Sequence, residues 1–194
     1  MRLLSAAFLA LWFSLSCFSQ SSTPAIERKG ETYTLTIPEA MKKALSAFNP
    51  RFQHWLAEDY CPEVRHGGPQ SDLKVRAPFA LIIDVNQDGT NDLILDGRDD
   101  RKSMLVAVVS KRGGYDVLLV RERDLLNPRE IQNQFEGKKE IGFDYYLWRS
   151  EKTLGFMLAW PQQSDASGAL LNDGGMIEFQ FSNGRFVSRN TGPL

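Results

Sequence analysis

Short apolar runs containing β-branched residues, separated by turn residues, dominate the chain. Such runs predict strands. Phe79 to Ile83 and Leu93 to Leu95 are two of them, and Met104 to Val109 and Tyr115 to Val120 form a pair joined through Gly113-Gly114. Phe143 to Trp148 and Thr153 to Trp160 predict another antiparallel pair. Near the C-terminus Ile177, Phe179 and Phe181 alternate with Glu178 and Gln180. That period of two describes a strand with one buried and one wet face. Asn183-Gly184 follows, then Arg185 to Ser188. Asn-Gly supplies the positive φ angles of a two-residue type I′ hairpin turn.

The period changes in the first third of the chain. Ile37, Met41, Leu45 and Phe48 recur at helical spacing, and Asn49-Pro50 stops the run. Thr36-Ile37-Pro38-Glu39 ahead of it reads as a capping box. Thr32 to Leu35 alternates as a strand, and Arg51 to Asp59 predicts a second short helix. Tyr60 to Pro78 has no periodicity and predicts a long loop, a class that often carries function. Asp96-Gly97 predicts a turn, Asp124 to Phe135 a mixed segment broken at Pro128, and Pro161 to Gly174 a polar loop. With about seven or eight strands, the expectation is an α+β domain: a mostly antiparallel, hairpin-linked β-sheet with an N-terminal amphipathic helix.

One stretch interrupts the strand pattern with chemistry. Asp84-Val85-Asn86-Gln87-Asp88-Gly89-Thr90-Asn91-Asp92 reads D-x-N-x-D-G-x-x-D. Oxygen side chains stand at alternate positions, a glycine permits a sharp turn, and another carboxylate follows. Calcium takes oxygen ligands from such a loop, at its first, third and fifth side chains, a backbone carbonyl at the seventh and a carboxylate at the ninth. Asp84, Asn86, Asp88, the Thr90 carbonyl and Asp92 occupy those places. The three carboxylates repel one another. At about 5 Å and an effective dielectric near 20, each pair costs about 3 kcal/mol. Such a loop either binds a cation or spreads into water, and an Asp/Asn/Gly turn that binds nothing is the alternative.

An EF-hand requires a Glu at the twelfth position, where this chain has Leu95. The loop sits between two strands, and in that setting it resembles the metal hairpin of FG-GAP and VCBS-type repeats, the family of the integrin α-propellers. The resemblance implies calcium as cofactor, with Asp84, Asn86, Asp88, Thr90 and Asp92 as ligands. Those families repeat the motif, whereas this chain carries it once, so a single metal hairpin is implied. The order Pro50, Tyr60, Ala77-Pro78-Phe79-Ala80 and then the loop also resembles a group of small exported bacterial proteins.

Composition sets the remaining bounds. The 194 residues fit one domain, and 42% hydrophobic residues suffice for a core. A formal charge of −1 with interspersed signs offers no footprint for nucleic acid. Arg2 and the apolar stretch Leu3 to Leu15 read as an export signal. Cleavage after Ser19 gives a signal at 1–19, a polar tether at 20–30 and the domain at 31–194. The alternative is a lipid anchor. Phe13-Ser14-Leu15-Ser16-Cys17 resembles a bacterial lipobox, without its usual Leu at −3, and Cys17 would then carry a lipid in the outer membrane. Either route predicts a periplasmic or extracellular location, where calcium is abundant.

Candidate catalytic groups are few. His54 and His66 are the two histidines, and Cys61 is the one cysteine beyond the signal. No family signature surrounds Cys61, so a packed thiol is the expectation. Trp55, Trp148, Trp160 and Tyr145-Tyr146 offer stacking faces for a glycan, and core packing accounts for them as well. The primary expectation is an exported, non-enzymatic protein with one structural calcium loop and a protein or glycan partner. A secreted hydrolase with a structural calcium site is the second. An inhibitor or partner-binding module using the Tyr60–Pro78 loop is the third.

Overall fold

The computed structural model describes residues 23–66, 74–135, 138–150, 155–160, 163–164, 167, 170–172 and 174–190. The signal segment with Cys17, and the tips of the loops expected at Tyr60–Pro78 and Pro161–Gly174, lie outside these residues. Within them the chain is largely antiparallel β-sheet.

The central sheet is built from β4 (Arg76–Ala77), β5 (Ala80–Ile83), β6 (Asp92–Arg98), β7 (Lys102–Lys111) and β8 (Gly114–Asp124), in that order. A short strand, β3 (Gln53–His54), pairs with the far end of β6, beyond the reach of β5. β7 is buried without interruption from Ser103 to Val109 and on to Ser110. A strand buried on both faces loses polar alternation, which is why this one reads as a continuous apolar run. α1 (Glu39–Phe48) packs against β7 and β8. Met41 and Leu45 are its buried residues, while Phe48 is exposed.

A second antiparallel sheet orders β11 (Tyr146–Arg149), β12 (Gly155–Trp160), β15 (Gly175–Ser182) and β16 (Arg185–Asn190). β11 packs against β4 and β5. Phe156 stacks on Phe179 across β12 and β15, and Phe186 meets Phe156 edge-on. The β15–β16 turn has φ 51° at Asn183 and 75° at Gly184, as a type I′ hairpin requires.

Several elements differ from the sequence expectation. Ala25–Lys29, in the expected tether, is strand β1, paired in register with β2 (Thr32–Thr36). Thr36 is committed to that pairing, so the helix takes Pro38 as its N-cap, and no side chain caps it. The expected helix over Arg51–Asp59 is instead β3 and a 3₁₀ turn at Ala57–Asp59. The unpaired end of β6 recruits that segment, with the Trp55 N–H donating to the Asp96 carbonyl at 3.0 Å. Asp96-Gly97 lies inside β6, and the chain turns at 99–101. Tyr60–Pro78 is not one open loop: it contains α2 (Pro62–His66) and β4, and Tyr60 and Cys61 are fully buried. The segment after Pro128 forms a small ribbon of β9 (Gln132–Phe135) and β10 (Lys138–Ile141), and β13 (Gln163–Ser164) pairs with β14 (Leu170–Asn172).

The core centres on aromatic rings carried by non-strand segments. Tyr60 and Phe143 are joined by a parallel bridge, and Trp55, Tyr60 and Tyr145 all contact the Phe143 ring. Into this cluster β6 projects Asp96, 4% exposed. Its Oδ2 accepts from the Tyr60 hydroxyl at 2.6 Å and the Tyr145 hydroxyl at 2.5 Å. Arg123 of β8 donates to the Tyr145 oxygen at 2.8 Å.

Candidate metal centre

β5 and β6 form the hairpin whose connection is the D-x-N-x-D-G-x-x-D loop. The register Ile83↔Asp92 starts the loop at Asp84 and returns it at Asp92. Its turn is made by left-handed residues, Gln87 at φ 60° and Gly89 at φ 83°. A side chain at Gly89 would meet no neighbour within 4 Å, so backbone conformation rather than space demands glycine there.

The side-chain oxygens are held by short local bonds. Asp84 Oδ2 accepts from the Gly89 N–H at 3.0 Å. Asn86 Oδ1 accepts from Asp88 N–H at 3.1 Å, and Asp88 Oδ1 from Thr90 N–H at 2.8 Å. Asp92 is fully buried, with Oδ2 accepting from Val85 N–H at 2.8 Å and Oδ1 from Ser110 N–H at 2.7 Å. Asp84 Oδ1 is the exception. It is buried and has no hydrogen-bond partner.

Ser110, at the end of β7, ties the loop together and had no signal in the sequence. Its hydroxyl donates to Asp88 Oδ2 at 2.6 Å, and its carbonyl accepts from Asn86 Nδ2 at 2.7 Å. It lies 18 residues beyond Asp92, so only β6–β7 pairing brings it to the loop. Electrostatics follow from these contacts. The Ser110 hydroxyl, above all, holds the Asp88 carboxyl below its ordinary range. Burial pushes the Asp92 carboxyl up, and the negative charge of Asp84 adds to that rise.

Among the described residues no three His, Cys, Asp or Glu side chains are gathered into a group that could hold a metal. Two of the five candidate ligands, Asn86 and the Thr90 carbonyl, are neutral oxygens outside that set. The chemistry of the donors fits a hard cation. All five are oxygens, Asp84 Oδ2 and Asn86 Oδ1 each accept a single hydrogen bond, and one buried carboxylate oxygen lacks any donor. Binding would require Asp84, Asp88 and Asp92 to turn toward a common centre.

Other titratable and aromatic groups are engaged in local contacts. Burial pushes the Cys61 thiol up to about 11, so it holds almost no thiolate at neutral pH. His54 contacts the Trp55 carbonyl through Nδ1 at 2.7 Å and stacks on Phe79. His66 lies 3.5 Å from Glu31. Asp99 and Asp100 serve the β6–β7 turn: Asp99 accepts from Arg101 and Lys102 N–H, and Asp100 pairs with Arg51. Tyr145 is core, and Trp148 carries the Arg76 guanidinium at 5.1 Å. Comparison of the chain with protein-family models, curated proteins and solved structures gives no match.

Proposed function

We propose that this chain is an exported, non-enzymatic α+β protein whose β5–β6 hairpin binds one calcium ion, with a binding or envelope role. The observation that carries this reading is Asp84. One of its oxygens is braced by the Gly89 N–H while the other is buried without a donor. A buried, unsatisfied carboxylate oxygen is costly, and it stands in a loop that already holds two further carboxylates. Asp84, Asn86, Asp88, the Thr90 carbonyl and Asp92 would hold the ion, whose charge would reverse the repulsion between Asp84 and Asp92. Ser110 would orient Asp88 and Asn86 from behind. The high thiol pKa of Cys61 weighs against a thiol hydrolase, and the burial of Tyr60 and Cys61 weighs against a binding loop at that segment.

Affinity in the range of extracellular modules, about 10⁻⁴ to 10⁻³ M, is expected. At about 5 mM calcium, mass action then stabilises the native state by about 1–2 kcal/mol. For a domain of this size that raises the Tm by about 2–8 °C relative to chelator. Asp84→Ala and Asp88→Ala should abolish the shift. Identical melting curves in calcium and in chelator would refute the reading. Intact mass of the exported protein separates cleavage after Ser19 from lipidation of Cys17.

A further inference from the structure

A second site lies away from the hairpin. α1, β3 and the 125–129 segment enclose an open cleft of 1040 Å³, in the size range of small-molecule sites. Ile37, Leu45, Phe52, Leu95 and Leu126 give it apolar walls. Leu56 and Leu125, also lining it, remain 57% and 40% exposed.

Two donors beside this cleft have no acceptor among the described residues. Arg98, at the end of β6, is half-buried, with its guanidinium 5.2 Å over the Trp55 indole. No carboxylate among the described residues is paired with it. Cation–π contact alone offsets only part of the cost of desolvating a cation. Trp55 is 3% exposed, and its indole N–H has no hydrogen-bond partner. Most of the charges lining the cleft have the same sign. Arg129 lines the cleft, and so does Lys42, which faces Glu39 at 3.6 Å. The one acidic group in the lining is Asp59, whose Oδ2 is engaged by the Leu56 N–H at 2.8 Å.

We propose that this cleft binds a small amphipathic carboxylate, with the carboxylate on Arg98 and the apolar body against Ile37, Leu45 and Phe52. A guanidinium fork matches a carboxylate in two parallel hydrogen bonds, and the low polarity beside Trp55 strengthens them. The apolar walls supply binding energy that a simple anion such as phosphate would not use.

Octanoate and its neutral isostere octanamide test the assignment on the purified protein. Calorimetry measures affinity, and the indole N–H resonance of Trp55, assigned with Trp55→Phe, reports position. Octanoate should bind one to one and shift that resonance. Octanamide should bind at least about tenfold more weakly, the scale of one charge-assisted hydrogen bond. Arg98→Gln should reduce octanoate to the affinity of octanamide. Equal binding of the two ligands to the wild type, a preference for octanoate that survives Arg98→Gln, or no binding of octanoate at millimolar concentration would each overturn the proposal. If Arg98→Gln does not fold, the two ligands on the wild type decide it through the Trp55 resonance, since Arg98 lies over that ring. Octanoate but not octanamide should shift it, and a preference for octanoate without that shift would overturn the proposal.

Discussion

Ser110 illustrates how much of a site lies in residues that carry no motif. Its hydroxyl, N–H and carbonyl all engage the Asp84–Asp92 loop, at Asp88, Asp92 and Asn86 respectively. Because the hydroxyl is the chief cause of the low Asp88 pKa, Ser110→Ala should raise that pKa toward the ordinary aspartate value. NMR titration of the Asp88 carboxyl measures this directly, without any metal. If the hairpin binds calcium, the same substitution should weaken affinity by about tenfold, as loss of an orienting group behind a ligand does. The loop's own residues were legible because their spacing is local. Ser110 was not, since its approach depends on the register Leu93↔Val108 two strands deep in the sheet.

At the scale of elements, β6 decides most of what the sequence left open. Its first half pairs with β5 and its second half with β3, so one strand organises two separate segments. Gly97 is placed for that close approach. A Cβ there would stand 2.3 Å from the Gln53 carbonyl oxygen and 2.8 Å from the His54 Cα. Backbone atoms cannot give way as a flexible side chain would. Gly97→Ala should therefore destabilise the fold by about 2 kcal/mol or more, lowering the Tm by about 4–8 °C. Gly114→Ala, where a Cβ meets nothing within 4 Å, is the control and should change the Tm little. Asp96-Gly97 has turn composition, yet it is a strand interior, because pairing on both sides overrides local preference. Arg51–Asp59 became β3 for the same reason. The Asn183-Gly184 hairpin kept its expected form because its turn and its alternation are both encoded within a few residues.

At the scale of the molecule, the two sheets and the connecting segments meet at Asp96. Tyr60, Tyr145, Arg123 and the Gly97 N–H are the groups that face it. Burial raises its pKa above the ordinary value in spite of these donors and the Arg123 charge. The folded state therefore holds the proton more tightly than the unfolded chain does. Above the unfolded pKa, stability from this group falls as pH rises, and the fall ends once the folded pKa is passed. Asp96→Asn removes the titration, so its Tm relative to the wild type should climb as pH goes from about 4 to 7. Whatever constant offset the amide introduces at the Gly97 N–H cancels in that comparison. A difference that stays flat with pH would show that Asp96 titrates alike in both states. Burial also pushes the Tyr60 and Tyr145 hydroxyls up, so both stay protonated donors across this range.

By itself, the sequence determined the features written in neighbouring residues: an antiparallel β character, the helix from its four-residue stripe, the C-terminal hairpin and the nine-residue run of spaced oxygens. Each depends on contacts within a turn or along one strand, where spacing alone dictates which side chains share a face. Tertiary structure decided the rest. It paired Gln53–His54 with β6 and buried Tyr60, Cys61 and Asp96 in one cluster. It also set Ser110 behind the loop and left Arg98 and Trp55 beside a cleft with no acceptor among the described residues. Those outcomes follow from which strand edge is free and which surface is left to cover, and only the assembled chain defines either.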